Sequence, residues 1–217
     1  MMRESVIKTV EESGVIVIVR GVQREQLIPL AEAMYAGGVR LLEITYSADG
    51  STPDEQTAEN IAMLAKHFEG RMYIGAGTVL TERQAELTAA AGGRFIISPD
   101  TNPAVIKRTR ELGLVSMPGS LTPTEIQTAH LAGADFIKLF PIDAFGPGYV
   151  KAVKAPLSHV RLLAVGGVNL ENIGIYRAAG AVGFGIGSSI VNKKLIDEGS
   201  FSEITRQAEA YVKAARG

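Results

Sequence analysis

Short apolar runs alternate with amphipathic segments along the whole chain. Each run is about five residues long, rich in β-branched side chains and apolar on both faces, which is typical of strands buried in a parallel sheet. The segments between the runs place apolar residues at helical spacing. The pattern predicts strands over 15–19, 40–45, 72–76, 94–98, 114–117, 135–140, 161–165 and 182–186, and helices over 26–36, 53–67, 82–91, 103–112, 123–131, 148–154, 170–179 and 201–215.

Local signals mark the ends of several predicted helices. Asn102-Pro103 and Thr122-Pro123 each place a capping side chain before a proline at the first helical position. Other helices are followed by glycine, which suits a left-handed cap at the helix carboxyl end. These glycines are Gly37, Gly38, Gly92, Gly93, Gly113, Gly133 and Gly180.

About eight strand–helix units fit into the 217 residues. Regular alternation predicts a parallel α/β architecture, and this number of units is that of the (β/α)8 TIM barrel. An open doubly wound sheet is the competing architecture, but it predicts a glycine-rich nucleotide loop after the first strand, which is absent here. Because no linker or break in composition interrupts the pattern, we predict a single barrel domain over residues 1–217.

Composition and charge narrow the functional classes. The chain has 22 Lys and Arg against 23 Asp and Glu and no basic block, which argues against nucleic acid and anionic membranes as partners. The absence of cysteine excludes disulfides, Cys-ligated zinc, iron–sulfur clusters and cysteine nucleophiles. No run approaches the roughly 20 apolar residues of a membrane span, and residues 1–8 are too charged for a signal peptide. We therefore expect a soluble, cytoplasmic protein.

Lys138 is the strongest candidate for a catalytic residue. It lies inside an apolar strand, whereas the other lysines lie in helical, loop or terminal segments. Burial favours the neutral form of lysine, and a neutral amine can form a Schiff base with a carbonyl substrate. The alternative is a structural lysine paired with a buried carboxylate.

Glu43 is the expected partner of Lys138. It lies near the end of the second predicted strand, and Lys138 lies on the sixth. In an eight-stranded barrel these strands face each other across the interior, and even-numbered strands supply the same interior layer. A carboxylate facing the amine could transfer the protons that Schiff-base chemistry requires. A simple buried ion pair is the alternative.

Polar residues follow three other predicted strands. Arg20 ends the first strand and suits a carboxylate or phosphate, although a salt bridge at the rim would also explain it. Thr78 follows two glycines that would let the backbone approach a ligand, and its hydroxyl could bind a carboxylate; a plain tight turn is equally consistent. Ser98-Pro99 is a weaker signal, since proline mainly ends the strand.

Two glycine clusters follow the last two predicted strands. Gly166 and Gly167 come after one strand, and a glycine-rich segment ending in Ser188 and Ser189 comes after the next. In barrels these loops often bind phosphate through backbone N–H groups, and Ser188 would add a hydroxyl. Turn geometry alone is the alternative.

Metal and cofactor motifs are absent from the sequence. His67, His130 and His159 lie in helices or loops without the spacing of metal ligands. The chain has no phosphate-binding Walker loop and no nucleophile elbow. We therefore expect neither a metal ion nor another cofactor.

Several short motifs are distinctive in their order and spacing. They are Glu43-Ile44-Thr45, Gly75-Ala76-Gly77-Thr78-Val79-Leu80, Phe95-Ile96-Ile97-Ser98-Pro99, Pro118-Gly119, Thr122-Pro123-Thr124-Glu125 and Lys138-Leu139-Phe140-Pro141. Together they resemble the bacterial class I aldolases for 2-keto-3-deoxy-6-phosphogluconate (KDPG) and 4-hydroxy-2-oxoglutarate (KHG). The resemblance extends from residues 14–20 to 185–188.

The resemblance implies a homotrimeric TIM barrel without a cofactor. Its reaction would cleave KDPG to pyruvate and D-glyceraldehyde 3-phosphate, and also KHG to pyruvate and glyoxylate. Lys138 falls on the Schiff-base lysine and Glu43 on the general base. The remaining matches are substrate-binding positions: Thr78 at the pyruvate carboxylate, Pro99 helping to place the glutamate, Arg20 closing the first strand, Phe140 beside the lysine in the shared motif, and Gly166, Gly167 and Ser188 at the phosphate.

Three features depart from the family pattern. Ser47 stands where many members have an arginine for the pyruvate carboxylate, Asp100 stands where glycine is common, and the loop 49–54 is longer. These differences leave the substrate open. The alternatives are an aldolase for another 2-keto-3-deoxy sugar acid (6-phosphogalactonate or unphosphorylated), a phosphate-binding isomerase or synthase, and a non-catalytic barrel that binds a keto acid.

Overall fold

A computed structural model describes residues 2–217, and helices alternate with strands through this range. In chain order the elements are α1 (Met2–Ser13), β1 (Val15–Val19), α2 (Arg24–Ala36), β2 (Leu41–Thr45), α3 (Asp54–His67), β3 (Tyr73–Gly77), α4 (Glu82–Ala90), β4 (Phe95–Ile97), α5 (Pro103–Glu111), β5 (Val115–Met117), β6 (Gly119–Ser120), α6 (Pro123–Leu131), β7 (Ile137–Leu139), α7 (Gly146–Lys154), β8 (Leu162–Val165), α8 (Ile173–Ala178), β9 (Ala181–Ile186), α9 (Lys193–Asp197) and α10 (Phe201–Arg216).

The strands of the described residues form one sheet in the order β5-β4-β3-β2-β1-β9-β8-β7-β6, with every pair parallel. The two ends of that order, β5 and β6, are separated in the chain by Pro118 alone. Proline has no N–H to donate to a sheet ladder, so it interrupts the strand at this point. Counted as one interrupted strand, β5 and β6 bring the sheet round into the predicted eight-stranded, TIM-like barrel.

Each predicted strand and helix has a counterpart, and the differences lie at the ends. The sixth predicted strand, 135–140, is shortened to β7 because Asp135 and Phe136 both donate their N–H to the carbonyl of Ser116, which breaks the regular ladder. Helices α1 and α9 were not predicted, since neither belongs to a repeating strand–helix unit. Within residues 2–217, the helices are too short or too polar to cross a membrane.

The predicted caps at Asn102 and Thr122 are confirmed, and so are five of the seven predicted glycine caps. The hydroxyl of Thr122 accepts a hydrogen bond from the Glu125 N–H, and the Glu125 carboxylate accepts one from the Thr122 N–H at 2.7 Å. Gly37 and Gly93 do not adopt the predicted left-handed conformation. Gly37 has a φ of −77°, and a Cβ there would lie 2.6 Å from Ala208 on α10. A Cβ at Gly93 would lie 2.4 Å from the side chain of Thr88, so both glycines are needed for close packing. Positive φ angles occur at Gly38, Gly92, Gly113, Gly133 and Gly180.

Alternating side chains divide the core into two layers. The outer layer packs between the sheet and the surrounding helices, and the inner layer fills the barrel. Val6 and Val10 of α1 pack against the inner layer, so α1 covers the amino-terminal end of the barrel, while the polar strand ends face the other way. The inner layer comprises Ile16, Leu41, Phe95, Ile97, Val115, Met117, Phe136, Leu163 and Val165.

Candidate active site

Lys138 and Glu43 lie inside the barrel, as predicted. They are 7% and 2% exposed, and both line one interior cavity of about 10 Å³, roughly the space of a single water molecule. Among the described residues the two side chains form no direct ion pair, so the alternative of a simple buried salt bridge does not describe them. The cavity is completed by Ile16, Ile18, Ile97, Leu163, Val165 and Gly185.

Two glycines of β3 determine where Glu43 can lie. Glu43 is in register with Gly75, and a Cβ added at Gly77 would overlap the carboxylate of Glu43. A Cβ at Gly75 would overlap the ring of Phe95. The sequence suggested that these glycines admit a ligand; in the structure they make room for the side chains of Glu43 and Phe95.

The Glu43 carboxyl group is set up to exchange protons. Burial raises its pKa above the ordinary value, and the positive charges of Lys138 and Arg20 only partly oppose this shift. Its Oε2 atom is buried and has no hydrogen-bond partner among residues 2–217. A carboxyl group in this environment takes up a proton more readily than an exposed one, which suits a general base.

The amine of Lys138 is shifted toward its neutral form. Burial lowers its pKa, the negative charge of Glu43 opposes the shift, and the positive charge of Arg20 adds to it. The Lys138 Nζ atom lies 4.6 Å from the ring centroid of Phe140, which is 36% exposed. A buried amine with a lowered pKa is a nucleophile suited to carbonyl groups.

Arg20 and Thr78 meet at the carboxyl ends of β1 and β3. Arg20 Nη2 donates a hydrogen bond to Thr78 Oγ1 at 3.0 Å. Thr78 has a φ of +55°, which is unusual for a β-branched residue and aims its hydroxyl at this position. Arg20 has no carboxylate partner among residues 2–217, so the alternative of a rim salt bridge does not apply, and its guanidinium is available to an anion.

The segment around Ser47 forms a polar cluster beside Arg20. The Ser47 hydroxyl donates to Asp49, and the Ser51 N–H donates to Ser47 Oγ at 3.1 Å and to Asp49 at 3.0 Å. The hydrogen bond from Ser47 contributes most to lowering the pKa of Asp49, which falls to about 2, and the hydrogen bonds from Ser51 add to this shift. The cluster lines a pocket of about 340 Å³ that also includes Arg20 and Thr45. At the position where the resemblance implies an arginine, this chain therefore has hydroxyl groups and a carboxylate.

The two glycine clusters are neighbours at the mouth of the barrel, which is the end formed by the carboxyl ends of the strands and the loops that follow them. Val165 pairs with Gly185, so the loops after β8 and β9 emerge side by side. Gly166 and Gly167 have φ angles of +105° and +65°. The backbone N–H groups of Gly167, Ser188 and Ser189 donate no hydrogen bond to an acceptor within residues 2–217. Such N–H groups favour anions.

Asp143 lies against this glycine loop and was not predicted. A Cβ on Gly167 would lie 2.6 Å from the Asp143 Cβ, and one on Gly166 would lie 3.5 Å from its Oδ1 atom. Asp143 is exposed and has no cationic partner in the described range. The only signal in the sequence was a charged residue shortly after the Lys138 strand.

Pro99 lies on the lysine side of the barrel. A Cβ on Gly119 would overlap the carbonyl oxygen of Pro99, and Gly119 is in register with Lys138. The neighbouring Ser98 hydroxyl donates to the carbonyl of Asp100 at 3.1 Å, so it is used in the loop itself. A contact between Pro99 and Glu43 stays a prediction.

The histidines and acidic residues do not assemble into a metal site in the described part of the chain. Residues 2–217 contain no cluster of three or more histidine, aspartate or glutamate side chains that could hold an ion. His67 bonds to Glu32 at 2.6 Å, and the rings of His130 and His159 pack edge to face, 4.7 Å apart.

The chain is similar to curated aldolases over most of its length. A family model described as KDPG and KHG aldolase matches residues 6–207. A protein named probable 2-dehydro-3-deoxy-6-phosphogalactonate aldolase from Rhizobium meliloti is 38% identical over 180 residues, 82% of each chain. The 2-dehydro-3-deoxy-6-phosphogalactonate aldolase of Escherichia coli is 35% identical over 202 residues, 93% of this chain and 94% of that one.

A solved structure agrees with both fold and family. The KDPG aldolase of Legionella pneumophila, with pyruvate captured as a covalent carbinolamine, has a TM-score of 0.82 and 30% identity, covering 94% of this chain and 96% of that one. The family model spans residues 6–207, and the solved structure covers 94% of the chain. The chain therefore belongs to the KDPG and KHG aldolase family of carbon–carbon lyases.

Proposed function

We propose that the protein is a class I aldolase that cleaves a 2-keto-3-deoxy-6-phosphohexonate to pyruvate and D-glyceraldehyde 3-phosphate. The observation that carries this proposal is the buried pair of Lys138 and Glu43, which share one interior cavity without a direct ion pair. A buried amine and a buried carboxyl group with opposed pKa shifts supply a nucleophile and a general base at one place.

The proposed reaction begins at Lys138. Its neutral amine adds to the C2 carbonyl of the substrate, forming a C–N bond while the oxygen gains a proton. The resulting hydroxyl takes up a second proton and leaves as water, and a protonated imine remains. Because the positive nitrogen is the electron sink, this reaction needs neither a metal ion nor another cofactor.

Glu43 then acts on the substrate hydroxyl. It removes the C4 hydroxyl proton, directly or through water, and the freed electron pair forms the aldehyde carbonyl. The C3–C4 electron pair moves into the imine and gives the enamine of pyruvate. Protonation of C3 and hydrolysis of the C–N bond release pyruvate and restore the amine of Lys138.

The two ends of the substrate are held at the mouth. Arg20 and Thr78 suit the C1 carboxylate, because the guanidinium is already oriented by its hydrogen bond to the hydroxyl. The free N–H groups of Gly167 and Ser188, with the Ser188 hydroxyl, suit the phosphate at the far end. Gly166 supports this loop through its positive φ.

The configuration at C4 distinguishes the two candidate substrates. KDPG and its 6-phosphogalactonate epimer give the same products, and relatives of this chain are named for each. We favour the 6-phosphogalactonate epimer, because the 38% and 35% identical relatives carry that name. Pyruvate release from each epimer, measured at several concentrations, decides the choice; a higher kcat/KM for KDPG would reverse it.

Borohydride trapping tests the chemistry itself. The protein is incubated with pyruvate, reduced and digested, and the added mass is located by peptide mass spectrometry. We expect the adduct on Lys138, its loss in Lys138→Met, and its retention in Lys151→Met, a matched change on the exposed side of α7. A folded protein that gives no adduct would overturn the class I mechanism. An adduct without cleavage of either epimer, of KHG or of the unphosphorylated sugar acids would indicate a keto-acid-binding protein.

We also propose that the protein assembles as a homotrimer, as its resemblance to the family implies. Leu131, Leu170 and Ile175 are large apolar side chains that remain exposed in one chain, and contact between copies would bury surface of this kind. Light scattering should give three times the 23.0 kDa of one chain. The mass of a single chain would contradict the proposal.

A further inference from the structure

The amine of Lys138 lies over the face of an aromatic ring. Its Nζ atom is 4.6 Å from the ring centroid of Phe140, inside the range of a cation–π contact. Phe140 directly follows β7, which ends at Leu139, and its ring lies next to the amine of Lys138 two residues earlier. Phe140 is 36% exposed and therefore lies on the solvent side of the buried amine.

The amine of Lys138 has no hydrogen-bond or ion-pair partner within residues 2–217. Nζ donates no hydrogen bond to a described acceptor and forms no ion pair there, and Glu43 acts on it only through its electric field. The ring face carries partial negative charge, which attracts a nearby cation. Phe140 is thus the one close contact in the described structure that favours positive charge at this nitrogen.

We propose that Phe140 is a positioning residue, which holds the positively charged nitrogen of Lys138 over its ring both as the ammonium and as the protonated imine. The proposal rests on the Schiff-base role of Lys138. Imine formation starts from the neutral amine: a C=N bond forms to the substrate carbon, and the substrate oxygen leaves as water with one hydrogen from the amine and one proton from solvent. The nitrogen is then positively charged again, at the same place over the ring. The ring therefore stabilises the imine relative to free pyruvate and neutral amine.

The proposal predicts a shift in pH dependence as well as in affinity. The charged groups that act on Lys138 are Glu43 on β2 and Arg20 at the end of β1, and both stay in place when Phe140 is changed. Without the ring, the ammonium loses a favourable contact and releases its proton more readily. The acid limb of imine formation should then move to lower pH. At pH values above that limb, where the free amine is neutral, more pyruvate is needed for half-maximal trapping.

The experiment compares Phe140→Leu, Phe140→Tyr and phenylalanines carrying one, two or five ring fluorines at position 140. Fluorine leaves the ring shape nearly unchanged and withdraws charge from its face. We expect half-maximal trapping to need about 3- to 30-fold more pyruvate in Phe140→Leu, a near-normal value in Phe140→Tyr, and a graded rise with each fluorine. Equal values throughout the fluorinated series would overturn the proposal, because shape alone would then explain the ring.

Phe145→Leu is the matched control. Phe145 is also an exposed aromatic residue after β7, but its ring packs on Tyr149 with centroids 5.1 Å apart. Trapping and its pH profile should be unchanged, and a shift equal to that of Phe140→Leu would contradict the proposal.

A second measurement separates this inference from the proposed function. The pH dependence of reductive methylation reads the Lys138 amine without any keto acid. We expect a lower midpoint in Phe140→Leu than in the wild type, and an unchanged midpoint would overturn the inference even if pyruvate is trapped. Failure of the wild type to trap pyruvate, with the midpoint shifted as expected, would instead overturn the proposed function alone.

Discussion

The reaction centre and the mouth of the barrel are built in different ways. Lys138 and Glu43 come from strands, are almost fully buried and share a cavity with apolar walls. Arg20, Asp143 and Ser188 come from strand ends and loops and are exposed. The comparison teaches that the sheet fixes where the chemistry takes place, while the loops choose which molecule is brought to it.

The same difference governs the strength of electrostatic effects. In the interior, burial shifts the pKa values of Lys138 and Glu43 in opposite directions. At the mouth, water and salt screen charges, and an exposed pair contributes about 0–1 kcal/mol. Changes at the centre should therefore affect turnover of every substrate, whereas changes at the mouth should affect the KM for particular ones.

The largest effect should come from Glu43→Gln. Turnover should fall about 10²- to 10⁴-fold, the usual contribution of a general base, because the amide cannot accept the hydroxyl proton. Pyruvate should still be trapped on Lys138, since the nucleophile remains. The assay compares cleavage with trapping in the same preparation, and an unchanged turnover would remove Glu43 from the mechanism.

A smaller effect is expected from Gly77→Ala. The new methyl group would overlap the Glu43 carboxylate, so turnover should fall about 10- to 100-fold, as expected for a displaced catalytic group. Gly174→Ala is the control, because a Cβ there meets no atom within 4 Å. Thermal unfolding of both variants separates loss of fold from loss of geometry. Equal activity of the two variants would show that the position of Glu43 is not tightly constrained.

Arg20→Gln tests the mouth near the pyruvate end. Losing a charged hydrogen-bond donor should raise the KM for the keto acid about tenfold and change kcat little. The positive charge of Arg20 also lowers the pKa of Lys138, so its removal raises that pKa and moves the acid limb of imine formation to higher pH. A fall in kcat with an unchanged KM would break the comparison, because Arg20 would then belong to the reaction centre.

The smallest effects should come from the far end of the pocket and should have opposite signs. Ser188→Ala removes a donor to phosphate, and Asp143→Asn removes a negative charge beside it. The ratio of kcat/KM for phosphorylated over unphosphorylated substrate should fall about threefold in the first variant and rise about threefold in the second. Trapping of pyruvate, which has no phosphate, serves as the control and should be the same in both. If the ratio of kcat/KM changed in the same direction in both variants, the phosphate would not bind between Ser188 and Asp143.

The features that follow from the regular alternation of strands and helices, such as the positions of Lys138 and Glu43 inside the barrel, could be predicted from the sequence. Lys138 stood out because it interrupts an apolar strand, and Glu43 followed from the even-numbered strands sharing one layer. Asp143 was missed because its contact with Gly167 joins two loops from different strands, which no local pattern reveals. The roles of Gly75 and Gly77 were misjudged for a similar reason, since only the folded barrel shows that Phe95 and Glu43 occupy the space beside them.

The position of helix α1 bears on the order in which the two products leave the barrel. Val6 and Val10 close the amino-terminal end of the barrel, so the substrate and both products must pass through the opposite end. With pyruvate bonded to Lys138 in the interior, the aldehyde lies nearer the exit and departs first. Steady-state kinetics should then show pyruvate inhibiting competitively with substrate, and the aldehyde inhibiting noncompetitively.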